Sequence, residues 1–185
     1  MIGDLLRPFA YLTIRHASGL PVAVNWIAPG AAVAAVALLL GYSGLNIDFF
    51  GAQGVVDRLL SFTQTLTGFY IAALAAVSSF NSPHLDRIMP SPAPTMRVKY
   101  QGGYEKVELT RRRFLTSMFA FLTASSFIFN LCAIAALVVS PAIPAPVSAW
   151  LWWPGSVWFL FLIAQMTCIT FWGLYYLGER VLTPD

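Results

Sequence analysis

Four stretches of the chain are apolar over a length that few soluble elements need. Val22–Tyr42, which contains AAVAAVALLL, Leu59–Phe80, Leu115–Ser140 and Trp153–Leu177 hold no Asp, Glu, Lys or Arg. A helix of about 20 mainly apolar residues crosses a ~30 Å hydrocarbon layer, and each stretch meets that length. All eleven basic and all eight acidic residues fall between or beyond the four. A charge at mid-bilayer costs at least ~2.5–3.5 kcal/mol, so this exclusion is the mark of a lipid environment. The pattern predicts an all-α integral membrane protein of four transmembrane helices, with 1–185 forming one membrane domain. The first stretch is too long for the apolar region of a secretory signal and starts too late in the chain. No cysteine adjoins it, as a lipoprotein signal would require. It is expected to stay as a span.

The segments between the spans carry weaker periodicities. Over residues 1–20, Leu5, Phe9 and Leu12 recur on one helical face and Arg7, Tyr11 and Arg15 on another, with Asp4 as cap and Pro8 in the first turn. This predicts an N-terminal interfacial amphipathic helix that ends at Gly19 and Pro21. Gly41 to Gly54 reads as a turn that dips Phe49 and Phe50 toward the lipid. The loop 81–113 is the most elaborate. It opens with a short helix or turn up to Met89 and continues through the stiff PSPAP of Pro90, Pro92 and Pro94. A small β-hairpin, 95–110, then folds about Gly102-Gly103. That register sets Met96 against Leu109, Val98 against Val107, Arg97 against Glu108 and Lys99 against Lys106. A lone hairpin is marginal in water, so this one needs a surface to lean on. Thr110 fits the N-cap of the third span. Pro141 to Pro154 reads as a rigid, tryptophan-rich turn at the lipid surface.

Composition agrees with the pattern. The chain is 58% hydrophobic, 15% aromatic and only 10% charged, with a mean hydropathy of +0.70, against roughly 25% charge in a soluble domain. The formal net charge is +3, and its distribution tells more than its size. Arg87, Arg97, Lys99, Lys106, Arg111, Arg112 and Arg113 lie in the hairpin loop, Arg7 and Arg15 at the start and Arg180 at the end. The other side has only Arg58, next to Asp57. Basic loops stay on the cytoplasmic side, so both termini and the hairpin loop are expected in the cytoplasm and the protein in the inner membrane of a bacterium. Trp26, Trp150, Trp152, Trp153 and Trp172 fall near span ends, where amphipathic rings anchor.

Candidate chemistry is sparse. His16 and His84 stand alone, no span holds an ionisable group, and no phosphate-loop, dinucleotide or metal-helix motif occurs. Catalysis, a metal and a cofactor are not expected. Cys132 and Cys168 sit at depths differing by roughly 12 Å, too far apart for a disulfide. Three amides, Gln64, Asn130 and Gln165, lie within spans and need partners there. They read either as an interhelical polar network or as the lining of a pore shared by several copies. Small residues recur in span one (Gly30, Ala31, Ala34, Ala35, Ala37) and span two (Gly68, Ala72, Ala75, Ala76, Ser79), a spacing that lets helices approach closely and predicts a homo-oligomer. Outside the bilayer, Arg97, Lys99, Tyr100, Tyr104, Lys106, Arg111, Arg112 and Arg113 form the candidate surface for a cytoplasmic protein partner. Contact with anionic lipid is the plainer reading of the three arginines, although three cations at a helix start oppose its dipole. Direct nucleic-acid binding is not expected.

Two stretches, VDRLLSFTQTLTGFYIAALAAVSSFNSPHLDRIM ending at Met89 and VELTRRRFLTSMFAF from Val107 to Phe121, resemble the small multi-pass membrane subunits and effectors of bacterial anti-phage defence systems. The resemblance implies a membrane component working beside a cytoplasmic sensor, and it assigns no residue a role. The first functional reading is therefore an oligomeric membrane subunit that docks a cytoplasmic partner. The others are a holin-like or channel-forming protein acting alone, and a small-solute transporter whose one sign is the Pro29-Gly30 break.

Overall fold

The computed structural model describes residues 6–16, 19–44, 47–51, 53–90, 93–100 and 103–180; for 97–100, 104, 145–149 and 179–180 it describes the backbone alone. Asp4 and Gly102 lie outside these residues. Four helices are long and apolar enough to cross a membrane: α1 (Leu20–Ser43), α2 (Val55–Ser79), α4 (Arg111–Val139) and α5 (Ala145–Tyr175). Between α2 and α4 come the single turn α3 (Pro83–Asp86) and a two-stranded antiparallel sheet of β1 (Thr95–Tyr100) and β2 (Gly103–Glu108). The helices run alternately up and down, so the starts of α1 and α4 and the ends of α2 and α5 share the hairpin end. The loops at 44–55 and 140–145 form the far end.

Only 17% to 28% of the most apolar window of each of the four spans is buried inside the chain. Leu38, Leu39, Phe62, Leu131, Val138 and Phe171 stand exposed on the flanks, far more apolar surface than a soluble monomer shows. What is buried falls into two clusters. The larger lies toward the hairpin end around Tyr11, Tyr70, Leu109, Phe114, Met118, Phe121 and Met166. The smaller lies toward the far end around Phe50, Val56, Phe129 and Phe159. The principal packing is α2 against α4, while α1 leans mainly on α5. At Gly173 of α5 the methyl of Met118 from α4 occupies the place a Cβ would take.

The elements differ from the sequence expectation in three places. The helix expected over 1–20 is, in its described part, a 3₁₀ helix of Arg7–Thr13 that buries Tyr11 against α4. The chain then extends, Arg15 bridges to Thr95, and Gly19, at φ 68°, turns it into α1. Second, the strands pair Met96 with Val107, Arg97 with Lys106, Val98 with Glu105 and Lys99 with Tyr104, two residues off the expected register. The shift is by an even number of positions, so the alternation along each strand is unchanged, but Leu109 leaves the ladder with Met96. Its N–H donates to Pro94 O (3.0 Å), its carbonyl accepts Met89 N–H (3.1 Å), and its side chain is fully buried. The core takes Leu109, and the turn moves to compensate. Third, α5 starts at Ala145 rather than near 153 and carries Pro154 within it.

Candidate functional site

The hairpin end gathers most of the residues that sequence reasoning singled out. Helix α2 stops at Ser79, leaving carbonyls in its last turn without helical partners. Arg112, in the first turn of α4, covers them: its Nη1 donates to Val77 O (2.8 Å) and Phe80 O (2.7 Å). The rest of the guanidinium grips Asp86 of α3 in a two-pronged pair, Nε to Oδ1 at 2.7 Å and Nη2 to Oδ2 at 3.1 Å. One side chain thus ties three helices together. This also resolves the apparent conflict with the dipole of α4, because the cation sits over the C-terminal end of α2, where positive charge is favoured.

Its neighbours behave differently. Arg111 is buried, and its backbone N–H donates to Arg87 O (3.1 Å). Arg113 is exposed, and its N–H is capped by Thr110 Oγ1 (3.3 Å), as the sequence predicts for that threonine. The three arginines therefore do not present one basic surface. Lys106 is exposed on β2. Arg97, Lys99, Tyr100 and Tyr104 lie on the strands, and their side chains are outside the described residues. The base of the hairpin is firmly held. Arg15 and Thr95 exchange two backbone hydrogen bonds (3.1 and 2.9 Å), Leu109 binds Pro94, and Ile88 bridges to Thr110. Beneath it Tyr11 stacks on Phe121 at 5.2 Å between centroids and Phe114 packs on Tyr176 at 5.4 Å.

The three amides do not meet one another. Asn130 of α4 closes a ring with α2: Thr63 Oγ1 donates to its Oδ1 (2.6 Å) and its Nδ2 donates to Thr67 Oγ1 (3.2 Å). Gln165 of α5 reaches α1 and donates from Nε2 to the carbonyl of Asn25 (2.8 Å). That carbonyl is exposed to capture for a simple reason. Pro29, four residues on, has no N–H to give it, and the helix widens into a π turn over Ala23–Ile27. Asn25 Oδ1 in turn accepts from Tyr11 OH (3.3 Å). Burial pushes the Tyr11 phenol well above its ordinary value, so it stays a donor. Gln64 is instead exposed on the outer face of α2. Sequence reasoning gives Thr63, Thr67 and Thr170 as possible extensions of the polar network and Tyr11 as one face of the N-terminal helix, but it misses Asn25, Asp86 and Tyr70, whose hydroxyl lies 2.7 Å from that of Thr170 between α2 and α5. Pro29 was the available signal for Asn25. Among the described residues, no three His, Cys, Asp or Glu side chains converge as metal ligands would, and Cys132 and Cys168 are free.

No family model, curated protein or solved structure matches the chain, so its function rests on this geometry.

The Arg112 clamp gives a prediction with a defined pH sense. Hydrogen bonds from Arg112 hold the Asp86 carboxyl below the usual carboxylate range. A depressed carboxylate stabilises the fold above its ordinary value, about pH 4, and that contribution is lost as pH falls toward the native value. Asp86→Asn is expected to lower the thermal midpoint of the detergent-purified protein at neutral pH. The gap to the parent should narrow as the pH is taken down through the carboxylate range. A gap that is constant with pH would show that the carboxylate charge is not what the clamp uses.

Proposed function

We propose that the chain is an oligomeric subunit of a bacterial inner membrane, with its hairpin end in the cytoplasm, that holds a soluble partner protein against the membrane. The observation that carries this reading is the fastened hairpin. Its base is bonded to Arg15, just after the 3₁₀ helix, and to Ile88 and Met89, just after α3, through Thr95, Leu109 and Thr110, whereas Glu105, Lys106 and Glu108 are exposed. A braced strand pair that projects from a bundle offers strand edges and mixed charge for recognition, and strand addition to such an edge is a common mode of docking. The basic bias of this end supports its cytoplasmic side. The sequence resemblance to membrane components of anti-phage defence supports a partner that senses and a membrane subunit that responds.

Oligomerisation is supported by one face of α2. Gln64, Gly68, Ala72 and Ala75 follow one another at three- and four-residue steps, and all are exposed. An amide facing hydrocarbon gains from a partner, and the small residues below it let a second helix come close. The pore reading draws less from the structure. Asn130 and Gln165 spend their amides inside the chain, which leaves Gln64 as the one span amide directed outward among the described residues.

Two variants test the two halves separately. Replacing residues 97–106 by a short glycine-serine turn keeps Pro94, Met96, Leu109 and Thr110, which the bundle uses. It is expected to leave membrane insertion and particle mass intact while a cytoplasmic protein that co-purifies with the parent chain is lost. Retention of that protein would overturn the docking role. Gly68→Leu with Ala72→Leu is expected to reduce the mass measured by light scattering in mild detergent to a single chain. An unchanged mass would remove α2 as the oligomer face.

A further inference from the structure

The far end holds a feature that partner docking does not use. Toward that end α1 parts from the bundle and leaves a cleft of about 1430 Å³, walled by Val33, Ala37 and Leu40 on one side and Val157 and Leu160 on the other. We propose that this cleft is a binding site for a bilayer phospholipid with an amine headgroup, of the phosphatidylethanolamine class. The inference rests on the four helices lying in a membrane, and it is independent of which side the hairpin faces.

Three observations select this occupant. The first is depth. Val33 to Leu40 spans about 10 Å of helix, within the ~15 Å of one leaflet. Beneath the cleft α1 and α5 close together: Trp26 meets Phe161 at 6.0 Å between ring centroids, and Gln165 bonds the Asn25 carbonyl. A crossing helix from a second copy would need a groove running the full height of the bilayer, and this one ends near the middle of α5. The second is the apolar wall, which is matched to acyl chain rather than to water. The third is charge. The mouth is lined by Asp48 and Asp57, two of the few charged residues at this end. The turn that presents Asp48 is built for it: Gly51 N–H donates to its Oδ1 (2.8 Å), and Val55 N–H donates to its carbonyl (3.1 Å). Arg58 is not part of the lining; its Nε donates to Gln53 O (3.2 Å). The two acidic groups match the ammonium of a zwitterionic lipid. They repel the anionic phosphatidylglycerol, which has no cation to offer.

The test uses the full chain purified in mild detergent, first shown to come from the membrane fraction. Recovery from the soluble fraction would defeat the membrane reading itself. Native mass spectrometry then follows lipid retained from equal mixtures of phosphatidylethanolamine and phosphatidylglycerol. The parent chain is expected to keep phosphatidylethanolamine in preference, by up to about fivefold, as befits partly exposed ion pairs. Asp48→Asn with Asp57→Asn should remove the preference and keep retention. Val33→Trp with Ala37→Trp, which wedges two large rings between the walls, should remove retention, and Ala37→Phe should remove it in part, whereas Ala34→Phe, exposed one turn earlier on α1 and outside the cleft, should not. Equal retention of both lipids by the parent chain would overturn the headgroup assignment. Retention unaffected by the double tryptophan variant would overturn the site. A dimer mass that this variant abolishes would show the occupant to be a second copy and would equally overturn it.

Discussion

A polar atom surrounded by hydrocarbon has no water to fall back on, so its partner must come from the protein. On the membrane reading proposed above, that constraint organises this chain more than any other. It explains why Gln165 reaches across to α1, since Pro29 strips the Asn25 carbonyl of its helical partner and only another helix can supply one. It explains why Asn130 is locked between two threonines one turn apart on α2. At the hairpin end, outside the spans, the end of α2 is closed in another way, by a guanidinium from α4. In lipid, apolar burial drives little, because the surroundings are as oily as the core; on the membrane reading the weight falls on these few polar contacts between helices.

The two ends of the bundle follow from where those contacts fall. At the hairpin end the aromatic cluster, the 3₁₀ helix and the Arg112 clamp converge, and the strands are held on a rigid base. At the far end Phe50 joins the smaller cluster, stacked on Trp152 at 4.4 Å, with its carbonyl accepting from Ser140 Oγ. The bond from Gln165 to the Asn25 carbonyl lies in the hairpin-end half of α1, and the cleft lies along its other half, beside Val33, Ala37 and Leu40.

The spans were legible because exclusion of charge is a strong signal over some twenty positions; α1 runs slightly past its expected ends, α2 and α4 start four residues early and stop one short, and α5 starts eight early and stops two short. The hairpin was legible in existence but not in register, since both registers keep the same alternation and only the burial of Leu109 decides between them. Arg112 read as a basic surface residue because its partners, Asp86 and the Val77 carbonyl, lie far away in sequence, and no local spacing links them. Asn25 was hidden in a different way. The cue was a proline four residues later, which speaks about a backbone carbonyl rather than about a side chain. The cleft had no sequence signature, because it arises from the way two helices diverge.

The central claim is that the flanks of these helices face lipid, and cysteine accessibility tests it most directly. With Cys132 and Cys168 replaced by serine, Leu131→Cys places a thiol on the exposed flank of α4, and Ala142→Cys places one at the far end. A water-soluble maleimide is expected to label Ala142→Cys in intact cells and to leave Leu131→Cys unmodified even after permeabilisation, until the protein is denatured. Rapid labelling of Leu131→Cys in the native protein would put water where the account requires hydrocarbon and would contradict it.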